Sequence, residues 1–137
     1  MNAYIDASVV LRMILGENAP LKSWEELNPV SSELTRVECL RTIERLQWSN
    51  SVAPDILAER RGNALLLLQA FKFASVSSAV LERAADPFPT HVATLDAIHL
   101  ATALILREEM AELIFATHDT KLANAARSMG FTVVGDG

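Results

Sequence analysis

The chain has 137 residues, 50% of them apolar and 21% charged, with a net charge of −5. These values fit one folded domain, spanning residues 1–137, with its own core, and exclude a disordered tail. The acidic balance excludes a protein that coats nucleic acid through bulk positive charge, but not an enzyme that grips a phosphodiester locally through bound cations and a few arginines.

In chain order, Ala3 to Ile5 reads as a first strand, and Ser8 to Leu15 as a helix stopped by Gly16 and then Pro20. A short amphipathic piece, Lys22 to Leu27, ends at Asn28-Pro29, and Val30-Ser31-Ser32 suits a short edge strand. From Glu33 to Trp48, apolar residues recur at Leu34, Val37, Leu40, Ile43 and Leu46, a helical stripe. Another helix starts at Pro54 and runs to about Ala70, Phe71 to Val76 alternates as a strand, and Ser78 to Ala85 forms a short helix before the turn at Asp86-Pro87. Thr94 to about Glu108 is the clearest helix, Leu113 to Ala116 a buried strand, Thr120 to Met129 a helix closed by Gly130, and Phe131 to Val134 a last strand. This alternation predicts an α/β fold, a central parallel β-sheet flanked by α-helices.

The single cysteine, Cys39, leaves no internal disulfide and no cysteine zinc site, which points to a reducing cytosol. No secretion signal is expected, because Asp6 comes almost at once and Arg12 interrupts the run from Val9 to Leu15. The longest apolar stretch, Ala97 to Leu106, contains His99 and falls far short of the roughly 20 residues of a membrane span. A soluble, cytoplasmic protein with no membrane partner is expected.

In a parallel sheet the carboxyl ends of the strands share one edge, and ligands bind there. Asp6 and Asp119 fall at that edge, each at a strand-to-helix turn, while Glu38 and Asp96 fall in the first turns of helices that face it. Carboxylates packed together repel one another and lose hydration, so such a cluster commonly holds a hard divalent cation. The expected chemistry is metal-dependent cleavage of a phosphoester.

Each acid also has a structural reading. Asp6 suits an N-cap, but Ser8 can cap unaided, which leaves a charge in the apolar segment Ile5 to Val9 unexplained. Glu38 can exchange charge with Arg41 or Arg45 on its own helix. Asp96 heads a thin polar stripe with His99 and Thr102 on an otherwise apolar helix, two residues after an expected cap at Thr94. Dipole compensation is a weak reason for that placement; His99, one turn below, reads equally as a group that hydrogen-bonds and orients the Asp96 carboxylate or as a satisfied half-buried histidine. Asp119 suits the N-cap of the last helix, with the Thr117 hydroxyl on the same side and His118 pointing elsewhere.

Four segments carry a family resemblance: Tyr4-Ile5-Asp6-Ala7-Ser8, Glu33 to Glu38, Leu95-Asp96-Ala97-Ile98-His99-Leu100-Ala101-Thr102-Ala103, and Ala116-Thr117-His118-Asp119-Thr120-Lys121-Leu122-Ala123. Together, and in this order, they resemble the PIN-domain ribonucleases, above all the VapC-type toxins of toxin–antitoxin pairs. The resemblance implies a PIN-like fold and an endoribonuclease dependent on Mg²⁺ or Mn²⁺. It also implies Asp6, Glu38, Asp96 and Asp119 as catalytic and metal-site acids, with Ser8 and Thr117 as nearby polar support. A homodimer, an RNA substrate and a cognate antitoxin whose basic tail blocks the acidic groove are implied as well. Carboxylate oxygens favour Mg²⁺ or Mn²⁺ over softer metals, and Arg12 and Arg41 are candidate phosphate contacts.

Two rivals use the same architecture. A receiver-type phosphoacceptor domain needs an acidic pair after the first strand, an acid after the third and a lysine after the fifth. Here Asp6 has no acidic neighbour and Ser77-Ser78 follows the third apolar run. A non-catalytic PIN-like module that only binds RNA or protein is the second, and retention of all four acids speaks against it.

Overall fold

The structure is a computed structural model that describes residues 1–16 and 24–136. The Pro20 helix stop and the start of the Lys22 to Leu27 piece lie outside the described residues, and Trp24–Glu26 forms one 3₁₀ turn. Five strands are described: β1 (Asn2–Ile5), β2 (Asn28–Ser32), β3 (Lys72–Ala74), β4 (Ile114–Ala116) and β5 (Val133–Val134). The helices are α1 (Ala7–Ile14), α2 (Glu33–Trp48), α3 (Pro54–Leu68), α4 (Ser78–Ala85), α5 (Thr94–Glu109) and α6 (Thr120–Ser128).

Alternation along β1 sorts the layers, because successive strand residues face opposite sides of a sheet. Ala3 and Ile5 join a core with Val9 and Val10 of α1, Cys39 and Ile43 of α2, and Leu57 and Leu68 of α3. Tyr4 points the other way, into a core with Leu100 and Ala103 of α5 and Leu122, Ala125 and Ala126 of α6. β4 repeats the pattern, with Ala116 in the first core and Phe115 in the second. The expected parallel sheet with helices on both faces is the fold observed.

The strands pair in the order β3-β2-β1-β4-β5, all parallel. The chain therefore steps outward from β1 through β2 to β3, then returns to pair β4 on the other side of β1. The order reverses between β1 and β4, so the ends of these two strands flank the crevice where such sheets bind ligands.

Val30 to Ser32 is an interior strand, not the edge strand expected, and the expected break at Asn28-Pro29 is part of it. Pro29 is tolerated because the Asn28 N–H bonds the Met1 carbonyl on the β1 side, so the missing Pro29 donor falls on the β3 side. There the pairing starts only at Val30 with Lys72.

Candidate active site

Asp6 follows β1 directly and is 5% exposed. It is the N-cap of α1, its Oδ1 accepting from the Ser8 N–H at 3.1 Å and the Val9 N–H at 3.4 Å. Ser8, which the sequence allows as a cap unaided, does not take that role; the structure corrects this, with Asp6 as the cap. Its hydroxyl donates to Asp6 Oδ1 at 2.6 Å and accepts from the His118 N–H at 2.9 Å. From the other side of the crevice, buried Thr117 donates to Asp6 Oδ2 at 2.7 Å and accepts from the Asp119 N–H at 3.0 Å. Ser8 and Thr117 thus orient the buried carboxylate, Ser8 adding to the backbone donors at Oδ1 and Thr117 supplying the donor at Oδ2.

Asp119 is exposed and caps α6 through Oδ1, which accepts from Lys121 N–H at 2.8 Å and Leu122 N–H at 3.1 Å. His118 points elsewhere, as the strand alternation predicts, and its Nδ1 donates to the Gly135 carbonyl at 2.6 Å.

Asp96 is the third residue of α5, and the N-cap is Ala93 without a side-chain bond, not Thr94. Among the described residues no donor hydrogen-bonds the Asp96 carboxylate. It lines a small cavity of about 100 Å³ with His91, Val92, Ala93, Lys121 and Leu122. Sequence reasoning passed over His91 and Lys121; the position of Lys121, two residues past an acid already singled out, was the available signal.

Glu38 sits in the second turn of α2, deeper than the first-turn placement expected. It pairs neither with Arg41 nor with Arg45 but with His99, whose Nε2 lies 2.5 Å from Glu38 Oε1. His99 therefore serves Glu38 and not Asp96. Arg41 is exposed on α2, three residues beyond Glu38, and Arg12 is partly buried in the last turn of α1, the end away from the acids.

The Asp96 carboxylate feels the other three acids. Burial is the largest influence raising the Asp96 carboxyl above the ordinary range, followed by the negative field of Asp119, with smaller contributions from Asp6 and Glu38; His99 opposes it. Burial also raises Asp6, against hydrogen bonds from Ser8 and Thr117, the field of His99 and the Val9 N–H. Cys39, next to Glu38, has its thiol pushed up to about 12 by burial, then by Glu38 and Asp6, so it is no nucleophile at neutral pH.

The donor set is hard carboxylate oxygen throughout, the kind that Mg²⁺ and Mn²⁺ take. Among the described residues no three His, Cys, Asp or Glu side chains converge closely enough to enclose an ion. Such an open set fits Mg²⁺, which takes one or two carboxylates and keeps several waters, better than a closed protein cage.

The model of the PIN domain matches residues 3–128. The chain belongs to the PIN domain family, and within it to the VapC-type proteins. It is 33% identical to Ribonuclease VapC46 of Mycobacterium tuberculosis over 96% of this chain and 95% of that protein. It is 30% identical to Ribonuclease VapC35 of the same species, covering 98% and 96%. Among solved structures, a toxin–antitoxin complex from Klebsiella pneumoniae superposes with a TM-score of 0.62 at 18% identity, over 96% of this chain and 95% of that one. PAE2754 from Pyrobaculum aerophilum gives 0.60 at 17% identity, over 99% and 85%.

Proposed function

We propose that the chain is a divalent-cation-dependent endoribonuclease, the toxin of a toxin–antitoxin pair, which hydrolyses RNA phosphodiester bonds at Asp6, Glu38, Asp96 and Asp119. The observation that carries the reading is Asp96: a half-buried carboxylate with no hydrogen-bond donor among the described residues, raised by burial and by the fields of the other three acids. The ribonuclease names of the full-length relatives and the toxin–antitoxin title of the structural neighbour support the same reading.

Bound there, Mg²⁺ or Mn²⁺ would supply a Lewis acid for the phosphate and a water of lowered pKa. The chain's own residues do the placing. Thr117 and Ser8 aim Asp6, Asp96 offers an uncommitted carboxylate, and Asp119 stands at the open rim. Lys121 and His91, which line the cavity beside Asp96, are proposed to meet phosphate oxygens, with Arg41, exposed on α2, as a further contact; Arg12, at the end of α1 away from the acids, is not retained as one. A protonated Cys39 leaves water as the attacking group.

A basic antitoxin segment suits a chain of charge −5, and a homodimer in the cytosol completes the proposed assembly. Among the described residues no helix is long and apolar enough to cross a membrane.

The test is cleavage of single-stranded RNA by the purified chain. Activity is expected with Mg²⁺ or Mn²⁺, lost with EDTA, and reduced at least about 10²-fold by Asp6→Asn or Asp96→Asn, each of which keeps the local shape. Undiminished cleavage by both variants would overturn the assignment. RNA binding without cleavage under any divalent cation would favour the non-catalytic module.

A further inference from the structure

Nothing on α2 holds Glu38 in place. Among the described residues its carboxylate has no cation partner on its own helix, and a glutamate left to itself samples many rotamers. What holds it comes from the opposite layer. His99 on α5 is 2% exposed, and its Nε2 lies 2.5 Å from Glu38 Oε1. The other ring nitrogen, Nδ1, lies 2.7 Å from the hydroxyl of Tyr4, which is fully buried on β1. The Tyr4 ring stacks on Phe115 at 5.2 Å and meets the His99 ring edge-on at 5.9 Å.

The hydrogens follow from what each group can do. An ionised carboxylate only accepts, so Nε2–H donates to Glu38. In the neutral imidazole that assignment leaves Nδ1 to accept from the Tyr4 hydroxyl. Burying an imidazole and a phenol is costly unless their polar atoms are bonded, and here each bond leads toward the acids. Leucine would fill either core position without needing a partner.

We propose that Tyr4 and His99 are positioning residues for Glu38. Tyr4 fixes the rotation and tautomer of the His99 ring, and His99 Nε2–H holds Glu38 Oε1, leaving Oε2 for the cation or its water. The inference rests on reading the four acids as a cation site. It adds that one of them is held in its working rotamer before the cation arrives, by a relay that begins in the core.

The experiment is Mn²⁺ binding to the full chain without RNA, followed through the electron paramagnetic resonance of free Mn²⁺. His99→Asn, whose amide stops short of the Nε2 position, should weaken binding about 10–100-fold. His99→Gln, whose amide N–H reaches that position, should retain most of it. Tyr4→Phe keeps the ring stack and loses only the hydroxyl, and should give a smaller loss. On a Glu38→Gln background, His99→Asn should add nothing, because both substitutions break one unit. A His99→Asn chain that melts normally and binds Mn²⁺ like the unsubstituted chain overturns the proposal, as does full additivity in the double variant. If His99→Asn does not fold, Tyr4→Phe decides: weaker binding supports the relay and unchanged binding overturns it. Failure of the unsubstituted chain to bind Mn²⁺ at millimolar concentration is a separate result, which overturns the cation reading beneath.

Discussion

Asp6 and Asp96 hold charge where the fold would prefer none. Both carboxyls are raised by burial, so folding favours their protonated forms. The stability this gives the metal-free chain is fully present below the ordinary carboxylate range and is lost as pH rises through the raised values. Melting temperature in EDTA should therefore fall as pH rises above the ordinary carboxylate range, and Asp96→Asn should raise the neutral-pH melting temperature. Added Mg²⁺ should reverse that ranking, since only the unsubstituted chain gains from it. A metal-free chain that grows more stable over this range contradicts the account. These two acids were legible in the sequence because their neighbours are apolar and a lone charge stands out there. The partner of Glu38 was not, since His99 lies 61 residues away and nothing in a helical spacing reports a contact across layers. For the same reason the sequence offered Asp96, one turn from His99, as its partner. Tyr4, the chain's only tyrosine, read simply as part of an apolar strand.

At the scale of elements, two of the acids have double employment, and the two jobs separate experimentally. Asp119 caps α6 through one oxygen, which binds two backbone N–H groups. Asparagine caps as well as aspartate, whereas alanine loses about 1 kcal/mol. Asp119→Asn should thus melt normally yet cleave RNA poorly, and Asp119→Ala should lose both stability and cleavage. An Asp119→Asn chain with full activity would leave the residue a cap and nothing more. The helices were readable in the sequence from their stripes, proline starts and glycine stops. β2 was readable only as an edge, because five residues containing Asn28-Pro29 look like a break until pairing shows which side of the strand needs the donor. The capping assignments at Ser8 and Thr94 missed by one or two positions, since a cap depends on the φ and ψ of one residue and neighbouring polar residues compete for it.

For the molecule as a whole, a charge of −5 means that RNA, the proposed substrate, would be held by local contacts and not by a broad field. Binding of single-stranded RNA by the Asp96→Asn chain should then show a shallow salt dependence. Arg41→Ala should flatten the slope of log K against log salt by about 0.7, the value of one lost phosphate contact. An unchanged slope would take Arg41 out of the RNA path. The sheet order has a different reach. Because β1 and β4 are neighbours, the first acid of the site belongs to residue 6 and the last to residue 119, and Thr117 must arrive before Asp6 is fully braced. A chain emerging from the ribosome at roughly 5–20 residues per second therefore carries an incomplete site until the segment with Thr117 and Asp119 has emerged. On the proposed reading as a nuclease, the topology works as a timer that withholds the full set of acids until β4 and Asp119 have been made.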